Sequence, residues 1–461
     1  MSEISTKLIK EAVYKLCYDA NICLNKSIYS KILENYKTIT NETVKNTFKL
    51  ILQNAKMAYE NKKPLCQDTG QVIVFVEIGQ NVSLKGDFLE TEINYAVKKC
   101  YKENFFRKSV VKNAIFGRTN TKTNTPVIIH SKIVKGDEIK LSVLIKGAGS
   151  ENKSKLEMML PTSTRKEVIK KISDLILEVG VNSCPPMFIG IGIGGTSEQA
   201  CLMSKEAFVY EKFSKDEKAF SKEILNYILN NSPKEFPEAF VLDVKTKTNA
   251  THIACMPVAI TINCHSDRYS SCTIKKDDVI YHHNKPKFID IKEEKNNKKE
   301  VYVHDIKTIK SLKNGEEVLL SGEIYVARDM AHKRLNDMLE KGETLPIDLK
   351  DKIIFYAGPC PNKKGEVIGS VGPTTASRMD NFAPKFYDMG LLATIGKGLR
   401  NKNVERSIKR NKAKYFTVVG GVAALLSNCV VKNEIIAFEE LGAEALYRLE
   451  VKNFPIKVEI N

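Results

Sequence analysis

The chain has 461 residues, 43% of them hydrophobic, which is enough to bury the cores of two or three domains. Its formal net charge is +17, carried by 72 lysines and arginines against 55 acidic residues. No apolar run is long enough to span a bilayer, and the first 21 residues carry Glu3, Glu11 and Asp19 without an arginine, which argues against a secretory signal or a transit peptide and for the cytoplasm.

In chain order, Ile4, Leu8, Ile9, Val13, Leu16 and Ala20 recur at helical spacing, and Val44, Phe48, Ile51, Leu52, Ala55 and Tyr59 do the same. A helical layer is therefore predicted first. Strand-like runs follow at Val72 to Ile78, Pro126 to Ile129 and Ile139 to Ile145, and Thr164 to Val179 reads as an amphipathic helix closed by Gly180. From Asn284 to Glu300 the residues are mostly Lys, Glu, Asn and Asp, the composition of a linker. A second αβ unit begins near Val301, with strand-like runs at Glu317 to Leu320, Ile353 to Tyr356 and Phe416 to Val419. The fold class is thus mixed α and β, with an N-terminal domain over 1–284, a linker over 285–300 and a C-terminal domain over 301–461.

The composition narrows the chemistry. The 61 lysines are spread along the whole chain and do not single out a nucleic-acid face, and the basic stretch from Lys397 to Lys414 reads as a solvated helix face. Only 11 arginines stand in that background, and five of them (107, 118, 268, 328, 378) fall in a few polar motifs, where a planar fork that lysine lacks has a use. The 11 cysteines are odd in number and scattered, which fits reduced thiols, most of them small buried hydrophobes.

Three motifs hold cysteines worth singling out. Cys66-Gln67-Asp68-Thr69-Gly70 can present a thiolate on a tight turn, or be a hydrogen-bonded turn with an inert thiol. Cys184-Pro185-Pro186-Met187 leads into Gly190-Ile191-Gly192-Ile193-Gly194-Gly195, whose glycines allow close approach to a ligand or mark a strand end. The spacing is not that of a dinucleotide fingerprint, and Thr196 with Gln199 is placed to cap a following helix. His252-Ile253-Ala254-Cys255 runs on to Cys264-His265-Ser266-Asp267-Arg268; without a paired CxxC, a structural zinc site is not indicated.

Other segments are rich in anion-binding groups: Arg107, Arg118-Thr119-Asn120-Thr121, the possible backbone nest Lys146-Gly147-Ala148-Gly149-Ser150-Glu151-Asn152, Arg328-Asp329, Gly372-Pro373-Thr374-Thr375-Ala376-Ser377-Arg378-Met379-Asp380 and Gly396-Lys397-Gly398. No phosphate-binding loop of the Walker type and no GxSxG elbow is present.

In this order and combination the motifs resemble the class I, iron–sulfur-dependent fumarases, a superfamily that also contains L(+)-tartrate dehydratases. The resemblance covers nearly the whole chain: about 45 to 282 looks like the α part and 301 to 461 like the β part, here fused. It implies a smaller swivelling-type C-terminal domain, a 4Fe–4S cluster on Cys66, Cys184 and Cys264 with one open iron, and a small dicarboxylate substrate. It implies Thr374 as the base, with Asp68 and His252 as partners in proton transfer and Arg378 and Lys397 as sources of stabilisation for the threonine alkoxide. It further implies a substrate clamp of Arg107, Arg328, Arg378 and Lys397 with Gln67 and Gly149, a site in the cleft between the domains, and a homodimer without nucleic-acid or membrane partners. Cys255 and Ser377 depart from the usual pattern without removing any of these groups. The activity expected is reversible hydration of fumarate to L-malate. The alternatives are a tartrate dehydratase or related hydro-lyase and, from another class, a basic RNA-binding protein regulated by a cluster.

Overall fold

The structure is a computed structural model that describes residues 2–181, 183–210, 212–291 and 298–461. Residues 292–297, inside the expected linker, lie outside the described residues. The fold is mixed α and β, and the chain divides into two compact units. One is Met1–Lys62 with Asp68–Ile289; the other is Lys63–Gln67 with Asp290–Asn461. The short segment Lys63–Gln67, which carries Cys66, thus packs with residues more than 200 positions further on.

In the first unit the apolar spacing yields the helix Thr6–Ile22, which buries Ile9, Ala12, Val13, Leu16, Cys17 and Ala20. Glu42–Glu60 likewise buries Val44, Phe48, Ile51 and Leu52. Each is started by a polar side chain, since Ser5 accepts from the Lys7 N–H and Asn41 from the Val44 N–H. A helix at Lys26–Thr38 was not expected; it buries only Ile28, Tyr29 and Ile32, too few to show a period.

The helix Thr6–Ile22 packs with Leu89–Glu103 over a five-stranded sheet. Its order is Asp278–Tyr281, Tyr269–Lys275, Ile139–Lys146, Gln71–Gly79 and Ile128–Val134. Alternate residues Val72, Val74 and Val76 enter the core, as the pleat requires. The edge strand Ile128–Val134 starts two residues later than the predicted run and extends beyond it.

A four-stranded sheet completes this unit, in the order Lys155–Met158, Pro257–Cys264, Met187–Gly195 and Val241–Thr251. Two glycines of the glycine-rich strand, Gly190 and Gly192, are required by packing. A Cβ on Gly190 would stand 2.1 Å from the Ser204 carbonyl oxygen, and one on Gly192 2.1 Å from that of Ala200, both on the helix Ser197–Val209. Thr196 precedes that helix but does not cap it; its hydroxyl donates to Glu198 Oε1 at 2.6 Å. Thr164 does form the full reciprocal cap with Glu167 at the start of Arg165–Gly180.

The second unit is built on seven strands in the order Lys299–Tyr302, Glu317–Val326, Ile353–Phe355, Ala393–Gly396, Lys414–Thr417, Leu446–Ile460 and Val430–Ala437. The long strand Leu446–Ile460 also pairs antiparallel with Glu317–Val326, so five of the strands close on themselves. Three consecutive pairings, from Glu317–Val326 to Lys414–Thr417, are parallel. The loops after such strands are where α/β folds carry their ligands. Among the described residues no helix is long and apolar enough to cross a membrane.

Candidate active site

In the second unit, the segment Gly372 to Asp380 follows the short strand Ile353–Phe355 and is pinned beside it. The Thr374 N–H donates to the Tyr356 carbonyl at 2.7 Å. The Ala376 N–H donates to the Lys397 carbonyl at 2.9 Å, and the Lys397 N–H to the Thr374 carbonyl at 3.3 Å. These bonds bring Thr374, Arg378 and Lys397 together although the lysine lies in a separate motif. Below them Arg400 and Asp380 form an ion pair at 2.7 Å, with both side chains buried, and Asp380 also accepts from the Asn401 N–H. The pair ties the threonine segment to the lysine turn from underneath.

Thr374 is 9% exposed, and its Oγ1 accepts from Arg378 Nη1 at 2.8 Å. Arg378 Nε donates to Asp329 Oδ1 at 2.8 Å and Nη2 pairs with Asp329 Oδ2. Arg328 Nε meets the same Oδ2 at 3.1 Å, and its Nη2 meets Glu444 Oε1 at 3.0 Å. Burial pushes the Asp329 carboxyl up, but Arg328 and Arg378 more than offset that and hold it below the ordinary value.

The Cys66 segment sits on this unit. Ser370 Oγ donates to the Pro64 carbonyl at 2.7 Å, the Cys360 thiol to the Gln67 carbonyl at 3.3 Å, and Gln67 Nε2 to the Pro373 carbonyl at 3.2 Å. Gly372 is glycine for the same reason, since a Cβ there would lie 2.5 Å from Gln67 Oε1. Gln67 and Cys66 therefore join Thr374, Arg378, Arg328 and Lys397 as members of one unit.

In the first unit Asp68 is the hub. Its Oδ1 faces Arg107 Nη2 at 3.1 Å and the Gly70 N–H at 3.2 Å, while Oδ2 accepts from the Ala148 N–H at 2.8 Å. Arg268 Nη1 donates to the Asp68 carbonyl at 2.6 Å. Burial raises the Asp68 carboxyl, and Arg107 and Arg268 with the two backbone donors reverse this, leaving it at about 2. The possible anion nest at 146–152 is thus engaged by the chain's own carboxylate, and Gly149 lies on its short helix Ala148–Glu151. Gly70, at φ +66°, supplies the turn; a Cβ there would be 2.7 Å from the Lys146 carbonyl oxygen. Arg118 stands apart, exposed in its loop with Nη1 on the Ala114 carbonyl.

We expect Asp68→Ala to lower stability by about 3 kcal/mol, because Arg107 and Arg268 stay buried without their counter-charge. A carboxyl held down in the folded state stabilises above its usual value near ~4 and loses that contribution as pH falls toward the folded value. The difference between the two proteins in urea unfolding should therefore be full at pH 6 and shrink below pH 4. Equal midpoints at pH 6 would contradict this account.

Strand register places two of the expected thiols at one sheet end. Cys264 ends the strand Pro257–Cys264 opposite Met187, and Cys184 lies just before Met187. Cys264 Sγ is 2.9 Å from Ser266 Oγ, and the buried Lys146 ammonium donates to the nearby Ile262 carbonyl at 2.6 Å. All the cysteines are free thiols. Burial pushes Cys17 and Cys100 well up and Cys23 and Cys272 to about 12, so these make poor thiolates, whereas Cys184 and Cys264 are half-exposed. Reduced thiols are the donors that iron–sulfur chemistry takes; Cys184 and Cys264 are partly exposed, whereas Cys66 is buried. Among the described residues, no three His, Cys, Asp or Glu side chains are gathered as a metal site.

His252 is not brought to this end. Met187 pairs with Val241 and Gly195 with Thr251, so His252 lies beyond the opposite end of the sheet from Cys264. The separation within the chain is on the order of 25 Å at about 3.3 Å per residue. There His252 lines a cavity of about 850 Å³ with Leu156, Met158, Thr196, Gln199 and Cys255. Its Nδ1 accepts from the Ala254 N–H at 3.1 Å, which leaves Nε2 as the donor of the neutral ring.

Asp329, Glu444, Arg268, Lys146 and Cys360 had no assigned role in the sequence reading. Asp329 and Arg268 stood in the quoted motifs, so the acidic neighbour of a retained arginine was an available signal. Glu444 lies far away in sequence and had none.

In the second unit a threonine held by an arginine, with Arg328 tied to the same carboxylate, and in the first unit an arginine–carboxylate pair beside a backbone turn are each arrangements suited to small anions. The comparisons agree. Residues 10–273 match the family described as fumarate hydratase (fumerase), and residues 277–461 match the one described as fumarase C-terminus. The chain is 30% identical over 439 residues to the aerobic class I fumarate hydratase of Escherichia coli K12, covering 88% of this chain and 79% of that one. It is 30% identical over 455 residues to the mitochondrial fumarate hydratase 1 of Leishmania major, covering 88% and 79%. It is also similar to the alpha and beta subunits of a putative L(+)-tartrate dehydratase of Methanocaldococcus jannaschii. The alpha match is 34% over 281 residues (58% of this chain, 98% of the subunit), the beta match 40% over 153 residues (32% and 78%). The protein is a hydro-lyase. It belongs to the fumarate hydratase family.

Proposed function

We propose that this hydro-lyase is a fumarate hydratase that interconverts fumarate and L-malate, with a 4Fe–4S cluster on Cys66, Cys184 and Cys264. The observation that carries the reading is the 2.8 Å bond from Arg378 Nη1 to Thr374 Oγ1, with Lys397 bridged to the adjoining Thr375. When bound, such a cluster supplies an open, Lewis-acidic iron that polarises the C–O bond of the hydroxyl to be lost.

The chain's own residues do the rest. As an alkoxide stabilised by Arg378, Thr374 Oγ1 takes the proton from the carbon next to a carboxylate and becomes the neutral hydroxyl, and that proton leaves with the released hydroxide as water. Arg328, Lys397 and Arg107 attract the two carboxylates, with Gln67 and Gly149 adding hydrogen bonds. Asp68, ionised at about 2, is a weak base; its contribution is to hold Arg107 and the Ala148 turn in place. The role of His252 rests on the resemblance alone, and so does the homodimer.

The tartrate-dehydratase similarity favours a second reading, in which the substrate bears a hydroxyl on each central carbon. Anaerobically reconstituted protein should be assayed with fumarate, L-malate, mesaconate and L-tartrate. We expect fumarate and L-malate to give the highest kcat/KM. We also expect air to abolish turnover and Fe(II) with a thiol reductant to restore it. Preferred dehydration of L-tartrate would establish the second reading, and full activity in iron-free protein would overturn both.

A further inference from the structure

One ionised group at the threonine centre has no part in the chemistry above. Asp329 opens the helix Asp329–Glu340, and its carboxylate accepts from three guanidinium nitrogens: Arg378 Nε at 2.8 Å, Arg378 Nη2, and Arg328 Nε at 3.1 Å. A guanidinium donates along two edges in a rigid plane, so fixing one edge fixes the direction of every other N–H. With Nε and Nη2 on Asp329, Arg378 Nη1 is the nitrogen that reaches Thr374 Oγ1 at 2.8 Å. The helix start is itself braced, since Glu444 Oε2 accepts from the Met330 N–H at 2.9 Å while its Oε1 faces Arg328 Nη2 at 3.0 Å.

We propose that Asp329 is the positioning residue of this centre: it grips Arg378 by the Nε–Nη2 edge so that Nη1 stays on the Thr374 hydroxyl, and it ties Arg328 to the same carboxylate. The inference rests on Thr374 as the base. It also changes the work of Arg378. One of its two bidentate edges is held by Asp329 and its Nη1 lies on Thr374, so this arginine serves the threonine oxygen first.

Asp329→Asn keeps the size but turns one oxygen into an NH2 group that faces other donors. In iron-replete protein we expect kcat to fall about 10²-fold, the scale of a catalytic group displaced by about 1 Å. The primary isotope effect on L-malate deuterated at the carbon that loses the proton should rise, with iron per chain and cluster absorbance unchanged. Asp329→Glu, which keeps the charge and shifts it by one methylene, should still lose about 10-fold in kcat and keeps the test open if the amide variant fails to fold. Glu444→Gln keeps an amide oxygen to accept the Met330 N–H and so preserves the helix start, but loses the ionic contact to Arg328; it should mainly raise KM and leave the isotope effect alone.

Wild-type kcat and isotope effect in folded, iron-replete Asp329→Asn or Asp329→Glu would overturn the proposal. So would an equal rise of the isotope effect in Glu444→Gln, since that is the outcome of a merely structural role. An unaltered, iron-replete protein that hydrates no dicarboxylate would instead overturn the functional reading on which the proposal rests.

Discussion

Cys264→Ser is expected to abolish turnover and remove the visible absorbance of the cluster, and Cys66→Ser and Cys184→Ser to do the same. A serine oxygen is a hard donor with a much higher pKa than a thiol, and it does not replace a thiolate on iron. Cys429→Ser is the control, because its thiol is pushed up to about 11 by burial and lies in none of the three motifs. Cys17 and Cys100 are poorer controls, since both are 0% exposed in the core and a buried hydroxyl there costs stability of its own. Iron per chain is the decisive measurement, taken after anaerobic reconstitution and before any assay. Full iron content and turnover in Cys264→Ser would remove the cluster assignment, and turnover lost with iron retained would move Cys264 from holding the cluster to handling substrate.

The resemblance names a site because motif order carries information where local periodicity says little. Thr374 and Lys397 stand in separate motifs, yet an isolated bridge between Thr375 and Lys397 and the bond from the Lys397 N–H to the Thr374 carbonyl make them neighbours. The helices Thr6–Ile22 and Glu42–Glu60 were legible because each buries one continuous stripe. The helix Lys26–Thr38 was not, since three buried residues show no stripe. Gly190 and Gly192 read equally well as ligand-approach or packing glycines; only the backbone of Ser204 and Ala200 behind them decides. The membership of Lys63–Gln67 in the second unit is set by long-range bonds such as Ser370 Oγ to the Pro64 carbonyl, which no local pattern encodes. The distance from His252 to Cys264 follows from strand register, which is likewise fixed by pairing rather than by the motif in which both stood.

Thr374→Ala is expected to lower kcat by at least ~10²-fold, the usual scale for loss of a general base. Competitive-inhibitor binding and iron content should stay near normal, because alanine removes only the hydroxyl on which Arg378 Nη1 rests and the γ-methyl beside it. Arg378→Lys separates two kinds of work. An arginine acting chiefly as a carboxylate clamp would show its loss in KM, since a ground-state contact is removed along with the transition-state one. The structure gives Arg378 a different emphasis: two of its nitrogens lie on Asp329 and a third on Thr374. A lysine ammonium is a single point of charge and cannot hold Asp329 along an edge while keeping a directed N–H on the threonine oxygen. We therefore expect Arg378→Lys to lose kcat by ~10-fold or more, with KM changing less, and its effect to overlap with that of Thr374→Ala. In the double variant the two losses should not add, because both remove the same alkoxide stabilisation. Fully additive losses, or near-normal kcat in Thr374→Ala, would mean that the proton is taken by another group and that Arg378 acts on substrate directly.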